Sequence, residues 1–172
     1  DVNAVDEVNK RIYYTMAYPR PMDRSLFVTD FAGKKTYQLT QGEGWHRVEF
    51  NDAFTQFYDF RSDINTPQVV SHYEIVVDKK KKNISAKLLK TVSENAKLKG
   101  KIEEYGYGKA EFIKIPNSKG DTLNGWMLKP ADFDPAKKYP VLFCNYGGPG
   151  SQQVANRFGA VSSWHQLLAQ KG

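Results

Sequence analysis

Cysteine is nearly missing from this 172-residue sequence: Cys144 stands alone, so no internal disulfide stabilises the fold. Long apolar runs are missing as well. The densest, residues 141–144, falls far short of the roughly 18 residues that a membrane helix needs, which excludes a transmembrane helix from these residues. With 40% hydrophobic and 26% charged residues, the composition is that of a globular chain. Its length allows one domain or parts of two.

Acidic residues are absent from positions 139–172, and most of the net charge of +6 comes from the middle of the chain. Four consecutive lysines, Lys79 to Lys82, lie there between two apolar stretches and predict a solvated hairpin turn. A nucleic-acid site would instead spread its basic residues over a face with aromatic side chains interleaved. We therefore expect no nucleic-acid partner.

A starting methionine is also lacking, because the chain begins at Asp1 and ends directly after a predicted helix. No signal peptide lies within these residues. We therefore expect the sequence to be a fragment of a longer protein.

The three histidines have no partners at metal-ligand spacing. His46 is expected in a turn, His72 in a strand, and His165 on a helix with its ring directed away from the apolar face. We expect structural roles for all three, and neither a metal nor an organic cofactor is implied.

The first half of the chain consists of short β-branched and aromatic runs separated by polar turns, a pattern typical of antiparallel strands. The strand that contains Tyr13 is echoed about 45 residues later by the strand that contains Phe57, and this spacing is the length of one four-stranded propeller blade. On periodicity alone a β-sandwich remains an alternative. The predicted strands span residues 11–16, 25–30, 35–40, 46–50, 54–60, 68–75 and 84–90.

Glycines near position 106 mark the end of the strand-rich first part of the chain, and we place a domain boundary there. Before it, residues 93–99 predict a short helix with Ser93 as its N-cap. After it, residues 109–116 and 122–129 predict two strands joined by a turn.

Residues 139–145 are nearly all apolar and predict a strand buried on both faces of a parallel sheet, with Cys144 inside it. Beyond a glycine-rich loop, residues 162–170 predict an amphipathic helix whose apolar face carries Trp164 and Leu167. The order strand, glycine loop, helix indicates an α/β domain.

The loop from Tyr146 to Ser151 matches neither of the two glycine patterns of nucleotide-binding loops, G-x-G-x-x-G and G-x-x-x-x-G-K-[ST]. Pro149 also removes a backbone N–H donor that a phosphate would use. A purely structural turn is the plain alternative. However, residues 138–143 followed by Tyr-Gly-Gly-Pro-Gly-Ser-Gln at 146–152 resemble the first hydrolase segment of the prolyl oligopeptidase family of serine peptidases. Upstream, residues 21–27, Leu39-Thr40 and Gly44-Trp45-His46 are similar to the last propeller blades of its dipeptidyl peptidase IV branch.

The resemblance implies a mixed architecture: residues 1–105 would be the C-terminal blades of a β-propeller with a linker helix, and residues 106–172 the N-terminal part of an α/β-hydrolase domain. It also implies a catalytic role for Tyr146, whose position matches the tyrosine that donates its hydroxyl to the oxyanion of the tetrahedral intermediate. A phenol suits this role because it keeps its proton at neutral pH.

Several parts of the catalytic machinery are missing from the sequence. The chain has no G-x-S-x-G elbow, and the serine, aspartate and histidine of this fold follow the loop found here. Ser151 resembles a nucleophile only superficially. The glutamate pair that holds a substrate's N-terminus in the dipeptidyl peptidase branch would precede Asp1, and Glu103-Glu104 do not replace it. We therefore expect the 172-residue chain alone to be inactive.

For the parent protein, the resemblance implies a serine exopeptidase that releases X-Pro or X-Ala dipeptides from peptides with a free N-terminus. It further implies export to the periplasm or cell surface and a homodimer. A prolyl tripeptidyl or acylaminoacyl peptidase of the same fold would look similar in these residues. A propeller binding or scaffold protein without a triad is the non-enzymatic alternative.

Overall fold

The computed structural model describes residues 1–148 and 150–171. Antiparallel strands dominate these residues, and two short helices interrupt them. The helices are α1 (Ala96–Glu104) and α2 (Ser163–Lys171). The strands are β1 (Val2–Asp6), β2 (Arg11–Met16), β3 (Ser25–Asp30), β4 (Thr36–Gln38), β5 (Trp45–Phe50), β6 (Gln56–Ser62), β7 (Val69–Asp78), β8 (Asn83–Ser93), β9 (Ala110–Pro116) and β10 (Thr122–Leu128).

Two four-stranded sheets form the first half of the chain, in the orders β1-β2-β3-β4 and β5-β6-β7-β8. The second strand of each sheet carries a buried aromatic side chain, Tyr13 in β2 and Phe57 in β6. This equivalence confirms the repeat predicted from the sequence. Strand β1, which the sequence analysis missed, completes the first sheet by pairing with β2.

The main apolar core lies where these two sheets face each other. Tyr13 of the first sheet packs on Phe50 of the second, with ring centroids 4.8 Å apart. At the edge of the core, a parallel bridge between Arg24 and Trp45 links the sheets through their backbones. The buried members of the core are Tyr13, Leu26, Val28, Leu39, Val48, Phe57 and Ile75.

The lysine run forms the turn between β7 and β8, as predicted. Asp78 stabilises this turn because its Oδ1 accepts hydrogen bonds from the backbone N–H groups of Lys80 and Lys81, both at 3.0 Å. A local aspartate that organises backbone donors in this way is a common turn device.

The helix predicted over residues 93–99 is wrong in its start, its end and its cap, because α1 spans Ala96–Glu104. Ser93 ends β8, where it pairs with Val70, and the helix begins at Ala96. Asn95, with a positive φ of 53°, precedes the helix without a side-chain cap hydrogen bond. Helix capping competes here with strand pairing, and the pairing of the long strand β8 holds Ser93 in extended backbone.

Strands β9 and β10 form the predicted hairpin, with Gly125 opposite Ile113. Asn65 fixes the start of this hairpin to the second sheet. Its Nδ2 donates to the carbonyl oxygen of Ala110 at 3.0 Å, and its Oδ1 accepts from the Ala110 N–H at 2.8 Å.

The third strand, predicted over residues 139–145, is not formed. Within the described part of the chain, residues 141–147 pair with no strand. Val141 and Phe143 are 86% and 74% exposed, and Cys144 is exposed rather than buried. An apolar run encodes a tendency to be buried, but a strand also needs neighbouring strands for its backbone groups.

Helix α2 lies close to its predicted bounds but presents the opposite face. Trp164 is 60% exposed, whereas Gln166 is buried. The Gln166 amide bonds both backbone groups of Gly108, accepting from its N–H at 2.8 Å and donating to its carbonyl at 3.0 Å. His165 packs edge-on against Trp126. The helix is therefore held through a polar contact that hydrophobic spacing does not reveal.

Candidate active site

The glycine-rich loop places the phenol of Tyr146 at the surface, where 54% of the residue is exposed. Its ring lies along the loop: a β-carbon added to Gly148 would be 3.4 Å from Tyr146 Cε1, and one added to Gly150 would be 3.5 Å from the phenol oxygen. Pro149, which the sequence analysis included in the motif, lies outside the described residues. A side chain at either glycine would therefore contact the Tyr146 side chain.

The serines near this loop have structural contacts. Ser151 Oγ accepts a hydrogen bond from Gln153 Nε2 at 2.8 Å. Ser162 Oγ lies 2.9 Å from His165 Nδ1, but that nitrogen also accepts from the Ser162 N–H at 3.1 Å. This reciprocal arrangement resembles a capping box at the start of α2 and does not activate a nucleophile.

The segment that follows the loop is attached to the sheets at two points. Gln152 Oε1 accepts from Arg24 Nη2 at 2.7 Å, and Gln152 Nε2 donates to the Pro21 carbonyl at 2.9 Å. Four residues later, Asn156 donates its Nδ2 to Asp23 at 2.7 Å and is itself buried. These contacts join residues more than 120 positions apart in the sequence.

Asp23 is the charged centre of this attachment and has no exposed surface. Its carboxylate accepts from Arg20 Nε at 2.7 Å, from the Gly44 N–H at 3.0 Å and from Asn156 Nδ2. Burial alone would raise the pKa of Asp23, but these hydrogen bonds and the Arg20 charge outweigh burial and hold the pKa below its ordinary value. Asp23 is therefore an ionised, fully satisfied buried group.

His46 and His72 both lie in the second sheet. His46 lies in β5, as the strand predicted over residues 46–50 implies and not in the turn also expected for it. Its Nδ1 contacts Asp59 Oδ2 at 2.8 Å inside the second sheet. His72 lies in β7, as predicted, and stacks on Tyr58. In residues 1–148 and 150–171, no group of three or more His, Cys, Asp or Glu side chains is placed to hold a metal ion.

Comparison with known proteins places the whole arrangement in a family. No protein-family model matches the chain. A crystal structure of Porphyromonas gingivalis dipeptidyl peptidase 4 superimposes on 100% of the chain with a TM-score of 0.83 and 32% identity. The chain belongs to the dipeptidyl peptidase IV family. Probable dipeptidyl peptidase 4 from Trichophyton verrucosum is 30% identical over 159 residues, and that from Aspergillus flavus is 26% identical over 162 residues.

The family match covers nearly all of this chain but only part of its relatives. The chain spans 20% of the length of those two fungal dipeptidyl peptidases and 23% of the Porphyromonas gingivalis chain. None of the helices in the described ranges is long and apolar enough to cross a membrane.

Sequence reasoning selected Tyr146 in this dipeptidyl peptidase IV segment but missed Asp23 and Asn156. A carboxylate and an amide 133 residues apart leave no local pattern. The one available signal is the Pro-Met-Asp-Arg stretch at 21–24, a turn composition that ends in two charged residues immediately before a strand.

The lowered pKa of Asp23 predicts a pH dependence of stability. The folded state favours the ionised form of Asp23. The contribution of Asp23 to the free energy of unfolding is therefore complete above the ordinary pKa of 3.8 and is lost as the pH falls through the lower pKa of the folded state. Urea unfolding of the full-length protein between pH 7 and pH 2 should show this loss, and Asp23→Asn should flatten it. Asp52→Asn, an exposed aspartate in the β5–β6 turn, is the control. If the free energy of unfolding changed equally steeply with pH in the wild-type protein and in Asp23→Asn, the prediction would be wrong.

Proposed function

We propose that the full-length protein is a serine-type dipeptidyl peptidase that releases X-Pro or X-Ala dipeptides from the free N-terminus of peptides. The observation that carries this proposal is the superposition of the entire chain on a dipeptidyl peptidase 4 structure. The fungal relatives, which are also named dipeptidyl peptidase 4, support it independently.

The proposal divides the chain into two parts. Residues 1–105 would belong to a β-propeller and its linker helix, which the two repeated four-stranded sheets support. Residues 106–172 would begin an α/β-hydrolase domain. In this arrangement the exposed apolar residues 141–143 become a strand when the remaining strands of a parallel sheet pair with them.

In the proposed reaction, a serine supplied by the rest of the protein attacks the carbonyl carbon of the scissile bond. Negative charge then develops on the carbonyl oxygen, and Tyr146 donates its phenolic hydrogen to that oxygen. The exposure of Tyr146 supports this role, because a substrate carbonyl can reach a side chain that lies at the surface. When the intermediate collapses, the peptide C–N bond breaks, and the shortened peptide leaves as an amine that takes up the proton lost by the serine hydroxyl. The dipeptide remains as an ester of the serine, and water hydrolyses this ester to free the dipeptide and the serine.

The setting of the enzyme follows from the same proposal. The propeller would admit flexible peptides and exclude folded proteins, and the protein would act after export, in the periplasm or at the cell surface. We also propose that the full-length protein forms a homodimer.

Hydrolysis of a chromogenic Gly-Pro amide tests the activity. The full-length protein should cleave the substrate with a free amino group and leave its N-acylated form intact. The 172-residue chain, which lacks the triad, serves as the negative control. Cleavage of the acylated form would indicate an acylaminoacyl or endopeptidase. Cleavage of neither form would overturn the dipeptidyl assignment and leave a tripeptidyl peptidase or a non-catalytic propeller protein.

A further inference from the structure

The two attachment points of the segment after Tyr146 differ in burial and strength. Gln152 is exposed and bonds Arg24 and the Pro21 carbonyl. Asn156 is only 3% exposed, and its neighbour Ala155 only 1%. The deeper attachment therefore lies ten positions beyond Tyr146, and the shallower one lies six positions beyond it.

Asn156 is held through three of its polar groups. Its Nδ2 donates to Asp23 Oδ1 at 2.7 Å, its Oδ1 accepts from the Ile64 N–H at 2.9 Å, and its own N–H donates to the Met22 carbonyl at 2.8 Å. It thereby bridges the turn before β3 and the turn after β6. Because one turn leads into the first sheet and the other follows a strand of the second, Asn156 is fastened beside both sheets.

The Tyr146 loop ends at Ser151, immediately before Gln152 and five residues before Asn156. The phenol oxygen lies beside Gly150, and Gly150 is two residues before Gln152. A loop whose far end is fixed to rigid sheets samples fewer positions than one whose far end moves. For a hydrogen-bond donor this matters, because a displacement of about 1 Å costs as much as 100-fold in rate.

We propose that Asn156 is a positioning residue: through Asp23 and Ile64 it fixes the end of the loop and thereby holds the Tyr146 phenol at the substrate carbonyl. The inference rests on the proposed function and extends it to a residue outside the reacting groups. Gln152 acts in the same direction with a smaller effect, because its contacts are exposed to water.

A double-mutant cycle in the full-length protein tests the proposal, with kcat and KM measured on the Gly-Pro amide. Asn156→Ala should lower kcat about 10-fold with little change in KM. In a Tyr146→Phe background the same change should lower kcat less than about 2-fold, because the donor that it positions is already gone. Equal factors in the two backgrounds, or an unchanged kcat in the first, would overturn the proposal.

Two further variants make the result interpretable. Asn65→Ala removes another asparagine that joins two segments, through its hydrogen bonds to Ala110. It should change kcat by the same factor in the wild-type and in the Tyr146→Phe protein. Gln152→Ala, at an exposed site, should lower kcat about 3-fold and lose that effect in the Tyr146→Phe background. If Asn156→Ala fails to fold, the Gln152 cycle decides, and additivity there counts against the proposal. Inactive wild-type protein would refute the proposed function, whereas an additive cycle in active protein refutes only the positioning role.

Discussion

Replacing Tyr146 with phenylalanine in the full-length protein is expected to lower kcat about 100-fold while leaving KM nearly unchanged. The change deletes one oxygen and keeps the ring that lies beside Gly148 and Gly150. The lost hydrogen bond is strongest when the carbonyl oxygen carries negative charge, so the transition state loses more than the bound substrate. Steady-state kinetics on the Gly-Pro amide gives both constants.

A matched control is available in Tyr105, which is 61% exposed against 54% for Tyr146. Tyr105→Phe removes a comparable phenol at the end of α1 and should leave both constants unchanged. If Tyr146→Phe also left kcat unchanged, the oxyanion role would be wrong, whatever the activity of the protein. A rise in KM at constant kcat would instead indicate a contact that binds the substrate before reaction.

The second large effect concerns stability: Phe57→Ala is expected to lower the free energy of unfolding by about 3–5 kcal/mol. Phe57 is 1% exposed and stacks on Tyr73 at 5.2 Å between ring centroids, inside the core shared by the two sheets. Removing its ring deletes buried apolar surface and leaves a cavity. Urea denaturation of the full-length protein, followed by tryptophan fluorescence, measures the loss.

Phe31→Ala provides the comparison for this measurement, because Phe31 lies in the β3–β4 turn and is 47% exposed. Its removal should cost less than about 1 kcal/mol, since little buried surface is lost. Similar losses for the two variants would show that the core between the sheets does not hold this region together.

The strands of the first half were predictable because the two features that define them, an apolar run and the turn that follows it, lie close together in the sequence. In β3 an apolar run ends in Asp30, and a Gly-containing turn leads to β4; in β9 and β10 the turn around Asn117 and Gly120 joins two alternating runs. Such patterns fix a strand and its partner at once, because a hairpin pairs neighbours in the sequence.

Where the structure of a segment depends on residues that are distant in the sequence, the sequence pattern gave no prediction or a wrong one. Residues 139–145 have the composition of a buried strand but no strand partner within the described ranges. For the site, a motif identified Tyr146, whereas Asn156 acts through Asp23, whose position relative to it only the folded chain defines.

The buried bond between Asp23 and Asn156 also sets an order of events during protein synthesis. At about 5–20 residues per second, the 133 residues that separate them take roughly 7 to 27 s to translate. The last strand of the first sheet ends at Gln38, so the residues of this sheet are synthesised early in the interval, while the Asp23 carboxylate still lacks the Asn156 amide. A ribosome-bound chain that stops before residue 156 therefore lacks one of the hydrogen bonds that hold the Asp23 carboxylate in the folded protein. The nascent sheets reach their final stability only when the segment behind the Tyr146 loop arrives.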